Sequence, residues 1–148
     1  MSLHTGGAIA HVGIAVGDID SAIETYRVLC PELIIGPRVA AVEQGVEVCF
    51  LDFPSNPVLG RIELITDIPP GHKISDFIAK RGEGLHHVCF TCENLVGKLA
   101  ELSAAGFRLI DATPRIGALG RPIAFVHPSS TGGVLVEFEE ESISETKR

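Results

Sequence analysis

The sequence repeats a short apolar segment that contains a histidine, and the two copies lie about half a chain apart. The first copy is residues 10–15 (AHVGIA), and the second is residues 85–90 (LHHVCF). In each copy a residue suited to capping a helix, Asp18 or Asn94, follows seven residues after a histidine. Such a repeat restricts the chain to folds that pair two similar units, because one unit alone cannot bury its apolar face.

A glutamate recurs with the histidine in both copies. Glu63 follows His11 by 52 residues, and Glu137 follows His87 by 50 residues. The adjacent His86 is not the counterpart of His11, because the alignment of the copies matches His11 with His87, and neighbouring residues of a strand point to opposite faces. Each half of the chain therefore offers one imidazole and one carboxylate.

The hydrophobic pattern of each half indicates a strand, a helix and three further strands. We therefore predict an α+β fold in which two tandem βαβββ modules form one curved mixed sheet around a metal-containing cleft. The modules cover approximately residues 8–67 and 85–140 of a single domain, and residues 68–84 form the linker between them. In the second module the strands predicted after the helix are residues 107–112, 123–126 and 134–139.

Composition and charge narrow the classes of function. Of the 148 residues, 45% are apolar and 21% are charged, which is an ordinary globular mixture. The net charge of −7 argues against general binding to nucleic acid, which requires a basic surface. Because the chain lacks an apolar run of roughly 18–20 residues and a signal-peptide pattern, we expect a soluble, cytoplasmic protein that binds no membrane.

Cys89 and Cys92 point to opposite faces of one predicted strand, so they cannot bind one metal together. We therefore interpret the four cysteines as buried free thiols.

Two imidazoles and two carboxylates form a ligand set that divalent metals of borderline softness accept. Four such ligands leave two positions of an octahedron open, and open positions distinguish catalytic metal sites from structural ones. Taken alone, His11 also fits a strand-end histidine bonded to the backbone, and Glu63 also fits a solvated carboxylate. The matched spacing in both halves favours joint metal coordination by His11, Glu63, His87 and Glu137.

Three longer motifs carry a resemblance to a known family. They are residues 82–90 (GEGLHHVCF), residues 114–120 (PRIGALG) and residues 124–128 (AFVHP). Together with the two-module pattern, they resemble the vicinal oxygen chelate, or glyoxalase, superfamily, and within it the methylmalonyl-CoA epimerase family. The resemblance extends from His11 to Glu137, which is nearly the whole chain. It implies an acyl-CoA thioester substrate, methylmalonyl-CoA, and a homodimer.

The resemblance also implies a cofactor and a reaction. The metal positions of the epimerase family match His11, Glu63, His87 and Glu137, with Glu63 standing where some members have glutamine. The expected cofactor is one divalent ion, which can be cobalt, zinc, manganese, nickel or magnesium. Such an ion acts as a Lewis acid that stabilises the thioester enolate during a 1,1-proton transfer.

Epimerisation requires two proton-transfer groups on opposite faces of the reacting carbon. Glu137 matches one of the bases proposed for the family. Many bacterial relatives carry the other base, a glutamate, at the place of Val48, so the nearest candidate here is Glu47. Glu47 reaches the required face only if a β-bulge shifts the register, and otherwise it is a solvated side chain. An ordered water molecule is an alternative second base.

Cationic side chains are the candidates for holding the phosphates of an acyl-CoA. Arg115, Arg121, Lys73 and Lys80 lie in loops or short segments from which they could reach such a ligand. Taken individually, each of them also fits a solvated surface cation.

Three rival functions use the same scaffold. A glyoxalase I-type isomerase acts through a metal-stabilised enediolate and would use the same four ligands, but the motifs 82–90 and 114–120 favour the epimerase. An iron dioxygenase uses two histidines and one carboxylate, so Glu63 would be surplus. A drug-binding resistance protein needs no metal, and measuring the metal content of the protein would distinguish it.

Overall fold

The computed structural model describes residues 7–57 and 59–141 of the chain, and these contain three α-helices and eight strands. The chain divides into two compact units, of which the first is residues 11–86 and the second is residues 87–148 with residues 1–10. No helix in the described ranges is long and apolar enough to cross a membrane. In chain order the elements are β1 (Ile9–Ala15), α1 (Ile19–Leu29), β2 (Ile34–Ala41), β3 (Val46–Asp52), β4 (Arg61–Asp67), α2 (Lys73–Arg81), β5 (Gly84–Cys92), α3 (Leu95–Ala104), β6 (Arg115–Ile116), β7 (Pro122–Val126) and β8 (Val136–Glu140).

In the first unit the strands are hydrogen-bonded in the order β2, β3, β4, β1. Strand β1 is parallel to β4, and β3 is antiparallel to both β2 and β4. Helix α1 begins after Asp18, whose carboxylate accepts the Ser21 N–H at 3.2 Å, and it ends two residues before Pro31. The buried cluster that contains residues of α1 and of the sheet consists of Val16, Ile19, Ile23, Leu33, Cys49, Leu51 and Leu64.

In the second unit the order is β5, β8, β7, β6, with β5 parallel to β8 and the other pairs antiparallel. Helix α3 begins after Asn94, whose side chain accepts the Gly97 N–H at 3.0 Å. Gly106, with a φ of 88°, supplies the left-handed residue just beyond the helix. Leu95 and Leu99 of α3 form a buried cluster with Cys92 and Ala124. The α+β class, with a βαβββ order in each unit, is confirmed.

The prediction of a strand at residues 107–112 is wrong. This segment makes an isolated bridge from Leu109 to Val126, and the strand that lies beside β7 is Arg115–Ile116 instead. The side chain of Asp111 is the physical reason. Its carboxylate accepts the Phe125 N–H at 2.8 Å. This backbone N–H would otherwise be available to hydrogen-bond a backbone carbonyl of the segment in a regular strand pairing.

The four cysteines, all within the described residues, form no disulfide; Cys49, Cys89 and Cys92 are buried, while Cys30 is half-buried. Cys89 is the register partner of Glu137, whereas Cys92 packs against α3, so the two thiols lie on opposite faces as predicted. Burial raises the pKa of Cys92 to about 11, so this thiol stays protonated at neutral pH.

Asp67, the last residue of β4, ties the start of α2 to the sheet. Its buried carboxylate accepts the backbone N–H groups of His72, Ile74 and Ser75 at 2.8–2.9 Å. Burial acts to raise the pKa of Asp67, but these hydrogen bonds and that of the Ser75 hydroxyl together lower it. The ionised carboxylate therefore stabilises the fold.

We expect Asp67→Asn to lower the free energy of unfolding by about 2 kcal/mol at pH 7. The asparagine side chain has an NH2 group in place of one carboxylate oxygen, and this group cannot accept a hydrogen bond from the backbone N–H that it faces. Because the folded-state pKa is lowered, the stabilisation is complete above the unfolded-state value of about 3.9 and is lost as the pH falls below it. Urea unfolding at pH 7, 5 and 3 measures this effect. Asp76→Asn, at an exposed position in the first turn of α2, is the control. A loss that is equally large at pH 7 and pH 3 would contradict the assignment.

Candidate functional site

His11 and Glu63 form a buried pair in the first unit. The parallel register of β1 and β4 sets Gly13 beside Glu63, so His11, two residues earlier, lies on the same face of the sheet as Glu63. The His11 Nε2 atom is 3.6 Å from the Glu63 Oε2 atom, and both residues are at most 6% exposed. We call the face that carries this pair the ligand face of the first unit.

His87 and Glu137 form the equivalent pair in the second unit. Strands β5 and β8 are parallel, and Cys89 takes the register position beside Glu137 that Gly13 takes beside Glu63. The His87 Nε2 atom is 3.2 Å from the Glu137 Oε1 atom, and both residues are buried. The face that carries this pair is the ligand face of the second unit. Each unit therefore brings together the histidine and the glutamate that the repeat pairs.

Each ligand face also carries a phenylalanine that the sequence prediction missed. Phe50 is the register partner of Glu63, and Phe125 is the register partner of Glu137. The Phe50 and His11 ring centroids are 5.4 Å apart at an interplanar angle of 76°, and those of Phe125 and His87 are 5.8 Å apart at 81°. A signal for both was present, because each phenylalanine precedes its glutamate by a similar interval of 13 or 12 residues.

An arginine covers each of these two rings. The Arg61 guanidinium carbon lies 4.1 Å from the Phe50 ring centroid, and that of Arg115 lies 5.3 Å from the Phe125 centroid. Asp52 holds Arg61 through two hydrogen bonds, of which Nε to Oδ1 is 2.5 Å and Nη2 to Oδ2 is 3.2 Å. The sequence prediction did not include Arg61, and it gave Arg115 a role in phosphate binding.

The structure does not place Glu47 with Glu63. The β3–β4 register is continuous over residues 46–51, so Glu47 points away from the ligand face of the first unit. Its carboxylate lies 3.5 Å from Arg38 Nη1, and Arg38 also binds Asp20 of α1. Glu47 could act as the second base only if a β-bulge shifted this register, and the β3–β4 pairing contains no bulge over these residues.

The four candidate phosphate-binding cations have different surroundings. Lys73 and Lys80, in the first and last turns of α2, are exposed. Arg115 Nε lies 3.3 Å from an oxygen of Asp111, and Arg121 Nη1 lies 4.0 Å from an oxygen of the buried Glu139. The positions of the two lysines are those expected of solvated cations, while each arginine has an acidic neighbour. Their role towards a phosphate stays a prediction.

His86 lies apart from the pair that its neighbour His87 forms. Its ring contacts that of Phe77 in α2, with centroids 4.9 Å apart at an angle of 73°. This packing agrees with the prediction that His86 points to the opposite side of β5 from His87.

The donor atoms of the two pairs suit a divalent cation. An imidazole nitrogen and a carboxylate oxygen within 4 Å of each other, as in each unit, are ligands that such metals bind together. A buried carboxylate requires a compensating charge or hydrogen bonds, and a cation supplies the charge. The residues present in each unit therefore fit half of a metal site.

Comparisons with known proteins agree with this architecture. The family model described as the Glyoxalase/Bleomycin resistance protein/Dioxygenase superfamily matches residues 10–125. The chain therefore belongs to this superfamily, and its glyoxalase-like fold class is confirmed.

Within the superfamily, the chain is similar to methylmalonyl-CoA epimerases, which confirms the resemblance found in the sequence. It is 34% identical to the ethylmalonyl-CoA/methylmalonyl-CoA epimerase of Cereibacter sphaeroides over 140 residues, which cover 90% of this chain and 98% of the relative. The crystal structure of the Mycobacterium tuberculosis methylmalonyl-CoA epimerase matches with a TM-score of 0.83 at 30% identity, over 95% of this chain and 92% of that one. A Streptomyces coelicolor methylmalonyl-CoA epimerase variant in complex with 2-nitronate-propionyl-CoA matches with a TM-score of 0.81 at 29% identity, over 91% of this chain and 97% of that one.

Proposed function

We propose that the protein is a metal-dependent isomerase that interconverts the R and S forms of methylmalonyl-CoA. The observation that carries this proposal is the repeated buried pair, His11 with Glu63 and His87 with Glu137. The similarity to methylmalonyl-CoA epimerases, which covers nine-tenths of the chain, supports the choice of substrate.

In this proposal the two pairs hold one divalent cation between them. The ligands are His11, Glu63, His87 and Glu137, which supply two neutral nitrogens and two negative oxygens. When bound, the cation supplies a Lewis acid for the negative charge that develops on the thioester oxygen. Cobalt, zinc, manganese, nickel and magnesium all remain candidates, because this ligand set accepts each of them.

Glu137 has a second role as a base that removes the proton from C2 of the substrate. Its burial and its position next to His87 restrict the carboxylate to few orientations, which favours proton transfer along one direction. A group on the opposite face of the carbon must return the proton. The register of β3 argues against Glu47 in that role, since Glu47 points towards Arg38 instead.

The remaining predictions concern the rest of the substrate and the assembly. We propose that the phosphates of the acyl-CoA are held by Arg115, Arg121, Lys73 and Lys80, through charge-assisted hydrogen bonds. We also propose that the protein forms a homodimer. Size-exclusion chromatography with light scattering tests the dimer, and charge-neutral variants of each cation test the phosphate contacts through KM.

Solvent deuterium exchange tests the proposed function. The purified protein should incorporate deuterium from D2O at C2 of methylmalonyl-CoA, and mass spectrometry detects the gain in mass. Treatment with a chelator should abolish the exchange, and adding back one equivalent of a divalent metal should restore it, because the enolate then regains its Lewis acid.

The controls separate this function from the rival activities of the fold. Ethylmalonyl-CoA tests whether the protein accepts a longer acyl branch, and a glutathione hemithioacetal tests the glyoxalase I-type reaction. If the metal-loaded protein exchanges no deuterium into methylmalonyl-CoA, the proposal is wrong. Turnover of the hemithioacetal in that case would assign the protein to the glyoxalase I-type isomerases.

A further inference from the structure

The histidine of the first unit is the end of a chain of contacts that runs along its ligand face. Asp52 holds Arg61 through two hydrogen bonds, and the Arg61 guanidinium lies over the Phe50 ring. The Phe50 ring in turn meets the His11 ring nearly at right angles. An aspartate, an arginine, a phenylalanine and a histidine thus follow one another in contact.

The second unit has the same order of contacts, but its arginine and aspartate do not occupy the positions that the repeat would match with Arg61 and Asp52. Asp111 lies 3.3 Å from Arg115 Nε, and the Arg115 guanidinium lies over the Phe125 ring, which meets His87 nearly at right angles. Arg61 is on a strand next to β1, whereas Arg115 is on the outermost strand of its unit. The arginines therefore have no common position in the repeat, yet they make the same contact.

We infer that Phe50 and Phe125 are positioning residues, which fix the ring orientations of His11 and His87 so that each Nε2 atom points at its glutamate. Each arginine–aspartate pair acts through its phenylalanine by restricting the rotation of that ring. The inference rests on the proposed function to the extent that the imidazoles serve as metal ligands.

The geometry gives this positioning a physical basis. An imidazole can turn about its Cβ–Cγ bond at little cost, and such a turn moves Nε2 away from the position in which it can bind a cation. An aromatic ring at an edge-to-face distance of 5–6 Å favours one orientation of its neighbour. An arginine that lies over the phenylalanine and is fixed by a carboxylate then limits the movement of the phenylalanine itself.

The test is the affinity for Co²⁺ of the full-length metal-free protein and of its variants Phe50→Leu and Phe125→Leu. Leucine retains an apolar side chain but loses the aromatic contact. We expect each variant to bind Co²⁺ roughly tenfold more weakly, which is the lower end of the loss seen when groups that orient metal ligands are removed. Arg61→Gln should weaken binding less than Phe50→Leu, and it should add little to the effect of Phe50→Leu, because it acts through the same ring.

Phe138→Leu is the matched control. Phe138 lies on β8 next to Glu137, but its ring packs against Phe90 and under Lys98, on the other face of the strand. This variant should lower the thermal midpoint as much as Phe125→Leu does while it changes the Co²⁺ affinity less than twofold. If Phe138→Leu weakens binding as much as Phe125→Leu does, the effect is one of general stability, and the positioning role is wrong.

A second readout needs no metal and keeps the two proposals distinguishable. Carbon relaxation of the His11 and His87 rings in the metal-free protein reports their mobility on the picosecond to nanosecond timescale. We expect Phe50→Leu to raise the mobility of His11 alone, and Phe125→Leu that of His87 alone. Unchanged ring mobility would overturn the positioning role. Failure of the wild-type protein to bind Co²⁺ would instead overturn the proposed metal site.

Discussion

Replacing Glu137 by glutamine is expected to slow deuterium exchange at C2 of methylmalonyl-CoA by roughly a thousandfold, the middle of the range for loss of a general base. The amide cannot accept the proton from carbon, although its oxygen remains a possible metal ligand. Because the substitution is nearly isosteric in a buried position, the fold should be retained, and circular dichroism checks this. The measurement is the initial rate of deuterium incorporation at saturating metal.

Two further variants separate the role of Glu137 as a base from its role as a ligand. Glu63→Gln changes the other carboxylate of the proposed site but leaves an amide oxygen that can still bind a metal, so we expect a rate within about tenfold of the wild type. Glu140 lies on the same strand as Glu137, and its carboxylate accepts a hydrogen bond from the Leu95 N–H at 3.0 Å. In Glu140→Gln the side-chain amide oxygen can still accept this hydrogen bond. This variant should retain the full rate. A Glu137→Gln protein with more than a tenth of the wild-type rate would contradict the assignment of the base.

Replacing His11 or His87 by alanine is expected to weaken the binding of a divalent cation by more than about 100-fold, which exceeds the loss on removing a group that only orients a ligand. Each substitution removes one of two nitrogen donors and leaves a buried carboxylate without its imidazole neighbour. Calorimetric titration of the metal-free proteins measures the affinity. The exchange activity of both variants should fall in parallel, because without the cation the enolate loses its Lewis acid.

His86→Ala provides a control that differs from His87→Ala by one position. Its ring packs against Phe77 of α2, so we expect a loss of stability but an unchanged affinity for the cation. If His86→Ala abolished metal binding and His87→Ala did not, the alignment of the two repeats would be wrong by one residue.

The internal repeat was sufficient to predict both buried pairs. The histidine and the glutamate of each pair lie on parallel neighbouring strands, and the nearly equal spacings of 52 and 50 residues indicated that they belong together. Phe50 and Phe125 recur at nearly equal spacings as well, but a phenylalanine on a strand is usually a core residue, so their proximity to histidine could not be inferred. Only the register of β3 and β7 shows which face they occupy.

Features that depend on local irregularity were not predictable. The segment 107–112 has the apolar pattern of a strand, and the sequence does not reveal that the Asp111 carboxylate takes the Phe125 N–H. The sequence could not show which face of the sheet Glu47 occupies, because a β-bulge that shifts the register by one residue would move its side chain to the other face. The contact of Arg61 with Phe50 arises from side chains on adjacent strands, and the sequence pattern gives no signal for it.

In both units the opening strand is hydrogen-bonded to the closing one, β1 to β4 and β5 to β8. The histidine is on the opening strand and the glutamate is on the closing strand, so a nascent chain cannot assemble either pair until the last strand of that unit has been synthesised. Pairings this distant in sequence form late in folding, because the intervening loop must be closed first. At the proposed metal site, affinity for the cation would therefore report completed folding, and a chain shortened before β8 would lack the donor oxygen of its second unit.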